Sequence, residues 1–303
     1  DKKLYPEFEI INFNKDHIRG KDVLKAAQQK QTDLIFAMGS LSIDFVYKNF
    51  KNSKIPVVSI CAKDPVMMHY ISDYHTKSGT NFAFTSINMP VKLQMVYFKE
   101  LVPDLKNIGI LYAKNNKSAV MTQAAPLKAY AKSISINVME VVVEDQKNAR
   151  RELIPKIKYA VKEMKKNDPG LQKSIFWVTG STSIFSNFDI ITQHSDKVPV
   201  IGASPSMVKG GDVPGAMMAI GVGFENNAQL ASIYAEKILK NQKKPGEFEV
   251  GVINPPDIAI NFKMVQKINM KIPFSFFEMA NLIFNYQGEK VKTRGSILSD
   301  KKK

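Results

Sequence analysis

The sequence has few of the residues that form metal sites, disulfides and nucleophilic catalytic centres. It contains one cysteine, Cys61, and four histidines among 303 residues. A single cysteine excludes an internal disulfide, and no histidine lies at metal-ligand spacing from another histidine or the cysteine. We therefore expect no metal and no cofactor. Because Cys61 lies in the apolar run PVVSIC, we interpret it as a buried, unreactive thiol.

Long hydrophobic runs and catalytic motifs are also missing. No apolar stretch approaches the ~20 residues of a membrane-spanning helix. The sequence has no P-loop, Ser181 does not lie in a G-x-S-x-G motif, and Gly221-x-Gly223 lacks the third glycine of a dinucleotide fingerprint. We therefore do not expect an enzyme. The opening residues DKKLYPEFEI show no signal peptide, as in a processed secreted protein or a cytosolic one.

Acidic residues are scarce relative to basic ones. The 28 Asp and Glu against 43 Lys and Arg leave a net charge of +15. Such a charge can indicate nucleic-acid binding. However, the lysines are scattered over predicted helices and loops, residues 301–303 form their only run, and no nucleic-acid-binding motif accompanies them. We expect a lysine-rich solvated surface and no nucleic-acid partner, and we keep nucleic-acid binding as a third hypothesis.

The dominant pattern is an alternation of apolar strands and amphipathic helices. Strands that are apolar on both faces are typical of parallel sheets covered by helices. Two series of such units predict an α/β fold with two doubly wound parallel-sheet lobes. The main predicted strands are residues 8–14, 33–40, 56–62, 81–86, 107–113, 136–144, 174–180 and 198–204. The predicted helices are residues 17–31, 43–50, 88–101 (with Asn88 as N-cap), 118–133, 149–166 and 226–241.

The connections between the lobes must be short, because no low-complexity linker is present. We predict about three crossings, near residues 85–88, 221–225 and 254–260. The first lobe would then comprise residues 1–86 plus 225–254, and the second residues 87–224 plus 255–303. A further strand is predicted after the long helix, in KKPGEFEV. The tail 277–303 contains NLIFNYQGEKVK, which predicts a hairpin with Gln287 and Gly288 at the turn.

Small and hydroxyl residues follow several predicted strands. Ligands of open α/β sheets bind at the carboxyl ends of the strands, where hydroxyls and free N–H groups suit a carboxylate or another polar head group. Helix capping is the alternative explanation for any one such cluster. Because three clusters recur across both lobes, we favour binding. The candidate ligand-binding residues are Gly39, Ser40, Ser42, Asp64, Asn115, Asn116, Gly180, Ser181, Thr182, Ser204 and Ser206.

Several stretches, in this order and spacing, are recognisable. They are DLIFAMGS, the Asp64–Pro65 dipeptide, VYFKELVPDLKNIGILYAKNN, VPVIGASPSMVKGG, IGVGFENNAQLASIYAEKILKNQKKP and DIAINFKMVQKINMKIP. Together the stretches resemble the type I substrate-binding proteins of ABC transporters, in the family that includes tryptophan and phenylalanine binders. The resemblance implies a type I periplasmic-binding-protein-like fold that closes on a small polar or amino-acid-like ligand.

The resemblance also implies partners and location. A monomeric protein would deliver its ligand to a membrane ABC permease from the periplasm or the cell exterior, with anchoring as a lipoprotein one option. A ligand-sensing module of a receptor or kinase on the same fold is the alternative function. The neighbouring genes or a fused membrane segment would distinguish the two.

Two features depart from the family pattern. The family has a strand and a helix before the segment that matches residues 8–14. Either this sequence starts after them or its first lobe is remodelled, and we favour the late start because a sheet that lacks an inner strand would leave backbone groups unpaired. The family also often has an Asp where Ser181 stands. A serine cannot supply the negative charge that would pair with a ligand ammonium, so the charge of the ligand stays open.

Overall fold

The computed structural model describes residues 6–298, so the predicted run 301–303 and the outermost residues of both predicted lobes (1–5 and 299–303) lie outside it. The strands within that range form two sheets. They are β1 Ile35–Met38, β2 Val57–Ile60, β3 Phe82–Ala83, β4 Asn107–Ala113, β5 Asn137–Val143, β6 Ser174–Val178, β7 Val200–Gly202, β8 Met218–Gly221, β9 Asp257–Asn261, β10 Leu282–Phe284, β11 Lys290–Thr293 and β12 Ser296–Ile297. The helices are α1 His17–Gln29, α2 Ser40–Phe50, α3 Val91–Leu101, α4 Lys117–Ala119, α5 Ala125–Ser133, α6 Ala149–Lys165, α7 Thr182–Phe185, α8 Phe188–His194, α9 Phe224–Leu239, α10 Phe262–Lys267 and α11 Phe274–Met279.

The small lobe is the three-stranded sheet with its helices. Its strands run parallel in the order β1-β2-β3. One face packs on α1 and α2 through Leu24, Ile43 and Phe50, and the other face packs on α9 through Ala231 and Ile238. Burying both faces explains why β2 is buried along its whole length.

The large lobe contains a nine-stranded sheet in the order β5-β4-β6-β7-β8-β9-β10-β11-β12. The strands from β5 to β8 run parallel, and β9 pairs antiparallel with β8. Helices α6 and α8 cover one face, and α3, α5, α10 and α11 cover the other. The prediction of two doubly wound lobes is therefore confirmed. The predicted tail hairpin is also present, as β10 and β11.

The chain passes between the lobes three times, as predicted. It leaves the small lobe after β3, returns between β8 and α9, and crosses again between residue 251 and β9. The first and third crossings lie side by side, because Thr85 bridges Gly251 and Ser86 N–H donates to the Gly251 carbonyl (2.8 Å). Buried Asn227 joins these crossings to β2, accepting from Cys61 N–H (2.7 Å) and donating to the Ser86 carbonyl (3.1 Å).

Two predicted strands do not form. Residues 8–14 contain no strand, since no described neighbour pairs with them, and Phe8 and Ile10 are 71% and 96% exposed. Only Phe13 packs inward, against Phe45 with ring centroids 5.0 Å apart. The segment KKPGEFEV forms a short 3₁₀ turn, Pro245–Glu247, and its Phe248 packs against α9 instead of entering a sheet.

Two helix predictions need correction. Helix α3 begins after Pro90, and Asn88 does not cap it, because the buried Asn88 side chain bonds Asp64 N–H and the Thr122 carbonyl instead. The predicted helix 118–133 is interrupted by a π-helical turn at Val120–Ala124, between α4 and α5. Apolar periodicity predicts neither the later start of α3 nor the π-helical turn, since both segments bond to residues far away in the sequence.

Candidate functional site

The carboxyl ends of the parallel strands in the two sheets face each other. Lys63 follows β2 of the small lobe, and Gly180 follows β6 of the large lobe. A Cβ atom built on Gly180 would lie 2.4 Å from Lys63 Nζ, so the lysine ammonium rests directly on the backbone of the opposite lobe. The place where the lobes meet is thus the strand-end edge at which open α/β sheets hold ligands.

The turn after β2 is built to hold Lys63 in place. Cys61 has a left-handed backbone (φ +52°), an unusual conformation for a residue with a side chain. The Cys61 N–H donates to the side-chain oxygen of Asn227 (2.7 Å), and this hydrogen bond stabilises the sharp turn. Two residues on, Lys63 N–H donates to Ser40 Oγ at the start of α2 (3.0 Å). The backbone of Lys63 is therefore fixed from two sides.

The Lys63 side chain has an unusual environment for a lysine. It is 7% exposed, and among the lysines and arginines of residues 6–298 it is the only buried one. Within that range its ammonium has neither a hydrogen-bond acceptor nor an acidic partner. Burial lowers the pKa of Lys63 to about 7. A buried cation without a partner is costly for the fold and is often found at functional sites.

Asp64, next to Lys63, bonds to its own lobe. Its Oδ1 accepts from the N–H groups of Val66 and Met67 (2.9 and 3.0 Å), and its Oδ2 accepts from the Tyr74 hydroxyl. Burial, together with the hydrogen bond to Asp64, raises the pKa of Tyr74. In this structure Asp64 therefore stabilises a turn.

The large lobe contributes a π-helical turn to the floor of the cleft. Gln123 in that turn accepts a hydrogen bond from Gly180 N–H (2.8 Å) through its Oε1. The neighbouring Thr122 accepts from Asn88 through both its carbonyl and its hydroxyl (2.9 and 3.2 Å). Single π turns within helices are frequent at functional sites. Here the turn brings two polar side chains to the point where the lobes and the first crossing meet.

A small cavity lies beside this turn. Its volume is about 20 Å³, room for about one water molecule. Met67 lines it from the small lobe, and Gln94, Gln123 and Trp177 are among the residues that line it from the large lobe. The Trp177 Nε1–H is buried and has no acceptor within the described residues. The cavity is too small for an organic ligand, so a ligand could enter only if the lobes separate.

The structure brings some of the predicted site residues together. Ser40 bonds the Lys63 backbone, Gly180 contacts both Lys63 and Gln123, and Ser181 is the next residue along the chain from Gly180. Ser181 is fully buried, and its hydroxyl lies 3.0 Å from that of Thr179. Gly39 precedes α2 with a left-handed backbone (φ +80°), a conformation that favours glycine.

Other predicted residues bond elsewhere. The exposed Asn115 accepts from Gln146 Nε2 (2.5 Å), and Asn116 caps α4 by accepting from Ala119 N–H (3.2 Å). The hydroxyls of Ser204 and Ser206 lie 3.1 Å apart after β7. Ser42 lies in the first turn of α2, and Thr182 is the exposed first residue of α7. No contact places these residues beside Lys63, and their part in binding stays a prediction.

Sequence reasoning missed three residues of this region. Lys63 was one lysine among many, although its place directly after an apolar strand and before Asp64 could have singled it out. Gln123 sits in a π turn that no sequence pattern marked. Trp177 lies in the predicted strand 174–180, and its 1% exposure is that of a core residue. The sequence could not show that Trp177 lines a cavity, or that its indole N–H has no acceptor within residues 6–298.

Within residues 6–298, no cluster of three or more His, Cys, Asp or Glu side chains could hold a metal ion. Burial raises the pKa of the Cys61 thiol, which lies 3.5 Å from the Phe224 carbonyl.

None of the helices in residues 6–298 is long and apolar enough to cross a membrane.

Comparison with known proteins gives a consistent picture. The family described as ABC transporter substrate binding protein matches residues 7–282. Among curated protein sequences, none matches the chain.

Solved structures with the same fold include three at about 20% identity. A Streptococcus pneumoniae ABC domain in complex with L-Trp is 21% identical, with TM-score 0.67, covering 88% of this chain and 86% of that one. A conserved domain protein from Vibrio cholerae is 20% identical, with TM-score 0.67, covering 88% and 83%. A substrate-binding protein with adhesive properties from Clostridium difficile, solved ligand-free and open, is 22% identical, with TM-score 0.66, covering 92% and 84%. At these identities the likeness shows a shared type I fold.

Proposed function

The chain belongs to the family of ABC transporter substrate-binding proteins, and from that premise we propose that it captures a small polar ligand between its lobes and presents it to a membrane permease. The observation that carries the proposal is the meeting of Lys63 and Gly180 across the cleft. Strand ends of both lobes thereby meet at one place, and a ligand bound there would contact both. The proposed location is outside the cytoplasm.

Hinge closure is the proposed mechanism. The lobes, proposed as residues 1–86 plus 225–254 and residues 87–224 plus 255–303, would rotate about the three crossings. A ligand that contacts both lobes favours the closed form, because only that form provides all its contacts. The closed form would be the one that a permease recognises. The alternative role as a sensor uses the same closure, and the neighbouring genes remain its test.

The proposed contacts begin with residues that lie at the meeting point. Ser40 and Ser181 follow strands of different lobes, and Gly180 offers a backbone N–H once Gln123 releases it. The double variant Ser40→Ala plus Ser181→Ala should weaken ligand binding while the protein stays folded. Unchanged affinity in this variant would place the site elsewhere.

The function is tested by a ligand panel. Amino acids, small carboxylates and nucleosides would be tested by thermal shift and then by calorimetry. A bound ligand should raise the melting temperature by mass action. The sequence has one tryptophan, Trp177, which lines the cavity, so its fluorescence reports binding independently. If no compound shifts the melting temperature or the fluorescence, the proposal fails.

A further inference from the structure

The ammonium of Lys63 has no partner at the site where a ligand would bind. The residue is 7% exposed, its backbone is held by Ser40, and its Nζ points at Gly180 of the opposite lobe without an acceptor among the described residues. The other lysines and arginines of residues 6–298 are more exposed. Surface lysines cost little because water solvates them fully, whereas an unpaired ammonium that has lost most of its water is destabilised. Such a group is stabilised when an anion enters the cleft.

We propose that the ligand is a small monocarboxylate without a charged amine, and that its carboxylate pairs with Lys63 between the lobes. The inference rests on the proposed function and names the ligand class of that same site. A hydroxy acid or a keto acid fits this description, and a zwitterionic amino acid does not.

The hydrogen-bond donors around Lys63 favour a ligand that carries a carboxylate. Lys63 Nζ supplies a positive charge and three N–H donors. Gly180 N–H, which bonds Gln123 Oε1 (2.8 Å) in the ligand-free protein, is a second donor at the same point. An anion with two oxygens satisfies donors of this kind, and a charge-assisted hydrogen bond is about twice as strong as a neutral one.

The hydrogen-bond acceptors of the site argue against a ligand that carries a charged amine. A ligand ammonium is best paired with a carboxylate, and residue 181, which follows β6 directly after Gly180, is a serine. The buried carboxylates of residues 6–298 already accept hydrogen bonds from protein groups. These carboxylates are Asp64, bonded to Val66, Met67 and Tyr74, Asp168, bonded to Gln172, Lys173 and Ser174, and Asp257, bonded to Gly223 and Asn226.

Charge balance favours a single negative charge. A monocarboxylate carries the single negative charge that pairs with the Lys63 ammonium. A phosphate monoester carries a charge of about −1.5 to −2 near neutral pH. It would bring more negative charge than one ammonium can pair with, next to the carboxyl group of Asp64.

The experiment compares compounds that differ only in their charged groups. For side chains of several sizes (methyl, isobutyl and benzyl), the α-hydroxy acid, α-keto acid, α-amino acid, α-hydroxy amide and a phosphate monoester are titrated by calorimetry. We expect a hydroxy or keto acid of one size to bind at least tenfold more tightly than its amino acid, amide and phosphate counterparts. Tighter binding of the amino acid, the amide or the phosphate would overturn the inference while the proposed function stands. Binding of none would also overturn the inference, whereas the proposed function fails only if no compound of the wider panel binds.

A matched pair of variants then tests Lys63 itself. Lys63→Met removes the charge but keeps most of the side-chain length, and we expect it to weaken binding of the best carboxylate at least 30-fold, as when one partner of a buried ion pair is removed. Lys54→Met, at an exposed position of the same lobe, should leave binding unchanged. Because Lys63→Met removes a buried charge, its melting temperature without ligand should equal or exceed that of the wild type. A Lys63→Met protein that is folded and binds the carboxylate like the wild type would overturn the inference.

Discussion

The charge of one residue, Lys63, controls much of the chemistry proposed for this protein. Burial lowers the pKa of Lys63 to about 7, compared with 10.5 in water. The groups around Lys63 do not offset the loss of water with an opposite charge. The carboxylate of Asp64 is bonded to Tyr74 and to backbone N–H groups, and Gln123 and Gly180 on the opposite lobe do not titrate. In the ligand-free closed form, Lys63 is therefore about half protonated at neutral pH.

Ligand affinity should consequently depend on pH. A bound carboxylate stabilises the protonated lysine and raises its pKa, so binding takes up a proton when the pH lies above 7. We predict an affinity that is nearly constant below pH 7 and falls by up to tenfold per pH unit above it. Calorimetry between pH 6 and pH 9 in buffers of different ionisation enthalpy measures both the affinity and the proton uptake. The Lys63→Met variant should bind more weakly with no such slope, and a flat profile in the wild type would contradict this prediction.

Gly180 is the second residue on which the closed cleft depends. A methyl group at this position would lie 2.4 Å from Lys63 Nζ and 3.4 Å from Gln123 Oε1. Since the lysine end is flexible and belongs to the other lobe, Gly180→Ala should leave the fold intact but hinder closure. We predict that the methyl group weakens ligand binding roughly tenfold, which corresponds to about 1.4 kcal/mol of strain in the closed state. Calorimetry of the variant measures the loss.

A matched glycine variant serves as the control for Gly180. Gly170 lies in a turn of the same lobe, and a methyl group there would meet only the Gln172 side chain at 3.7 Å. Gly170→Ala should bind ligand like the wild type. Equal affinity in both variants would mean that the lobes do not close against Gly180.

At the scale of secondary-structure elements, Asn227 of helix α9 connects the segments that form the hinge. Its side chain accepts from Cys61 N–H and Thr85 Oγ1 (2.7 and 3.2 Å) and donates to the Ser86 carbonyl (3.1 Å). Because the residue is fully buried, the groups it satisfies cannot turn to water when it is removed.

Truncating Asn227 should therefore be costly. We predict that Asn227→Ala lowers the free energy of unfolding by about 2–4 kcal/mol, since it leaves several buried polar groups unpaired. Urea unfolding followed by circular dichroism measures the change. Asn226, one residue earlier, donates to Asp257 (2.6 Å) at a less buried position, so Asn226→Ala should cost less. A larger loss for Asn226→Ala than for Asn227→Ala would contradict this account of the hinge.

Most elements follow from local patterns in the sequence. Strand β4 and helix α6 were predicted almost to the residue, because their apolar positions repeat with the strand and helix periods. The segment 8–14 has the same strand pattern but no described strand beside it, and an apolar segment without a partner does not form a strand. Local pattern thus predicts that a segment can form a strand, and pairing decides whether it does.

The candidate site was harder to predict than the fold. Strand ends are predictable, which is why Ser40 and Gly180 could be named from the sequence. The sequence also places Lys63 at a strand end, but it cannot show the burial of this lysine, which depends on the opposite lobe. It gives no sign of the π turn of Gln123, whose residues contact Asn88 and Gly180. The chemistry of the site is set by contacts between segments far apart in the sequence.

For the protein as a whole, the lobes must open before a ligand can enter between Lys63 and Gly180, since a Cβ atom on Gly180 would lie only 2.4 Å from Lys63 Nζ. Ligand binding should therefore shift a population of open molecules towards the closed form. We predict that the radius of gyration measured by small-angle X-ray scattering decreases when the ligand saturates the protein. An unchanged radius at saturation would argue against hinge closure.

A crystal structure of the protein with the tightest-binding compound of the panel would show whether a small carboxylate binds between the lobes against Lys63. We expect ligand density in the cleft, with a carboxylate oxygen within hydrogen-bond distance of Lys63 Nζ and other ligand atoms in contact with Gly180 and Gln123. Ligand density outside the cleft, or in the cleft with its carboxylate turned away from Lys63, would show that Lys63 does not bind the carboxylate.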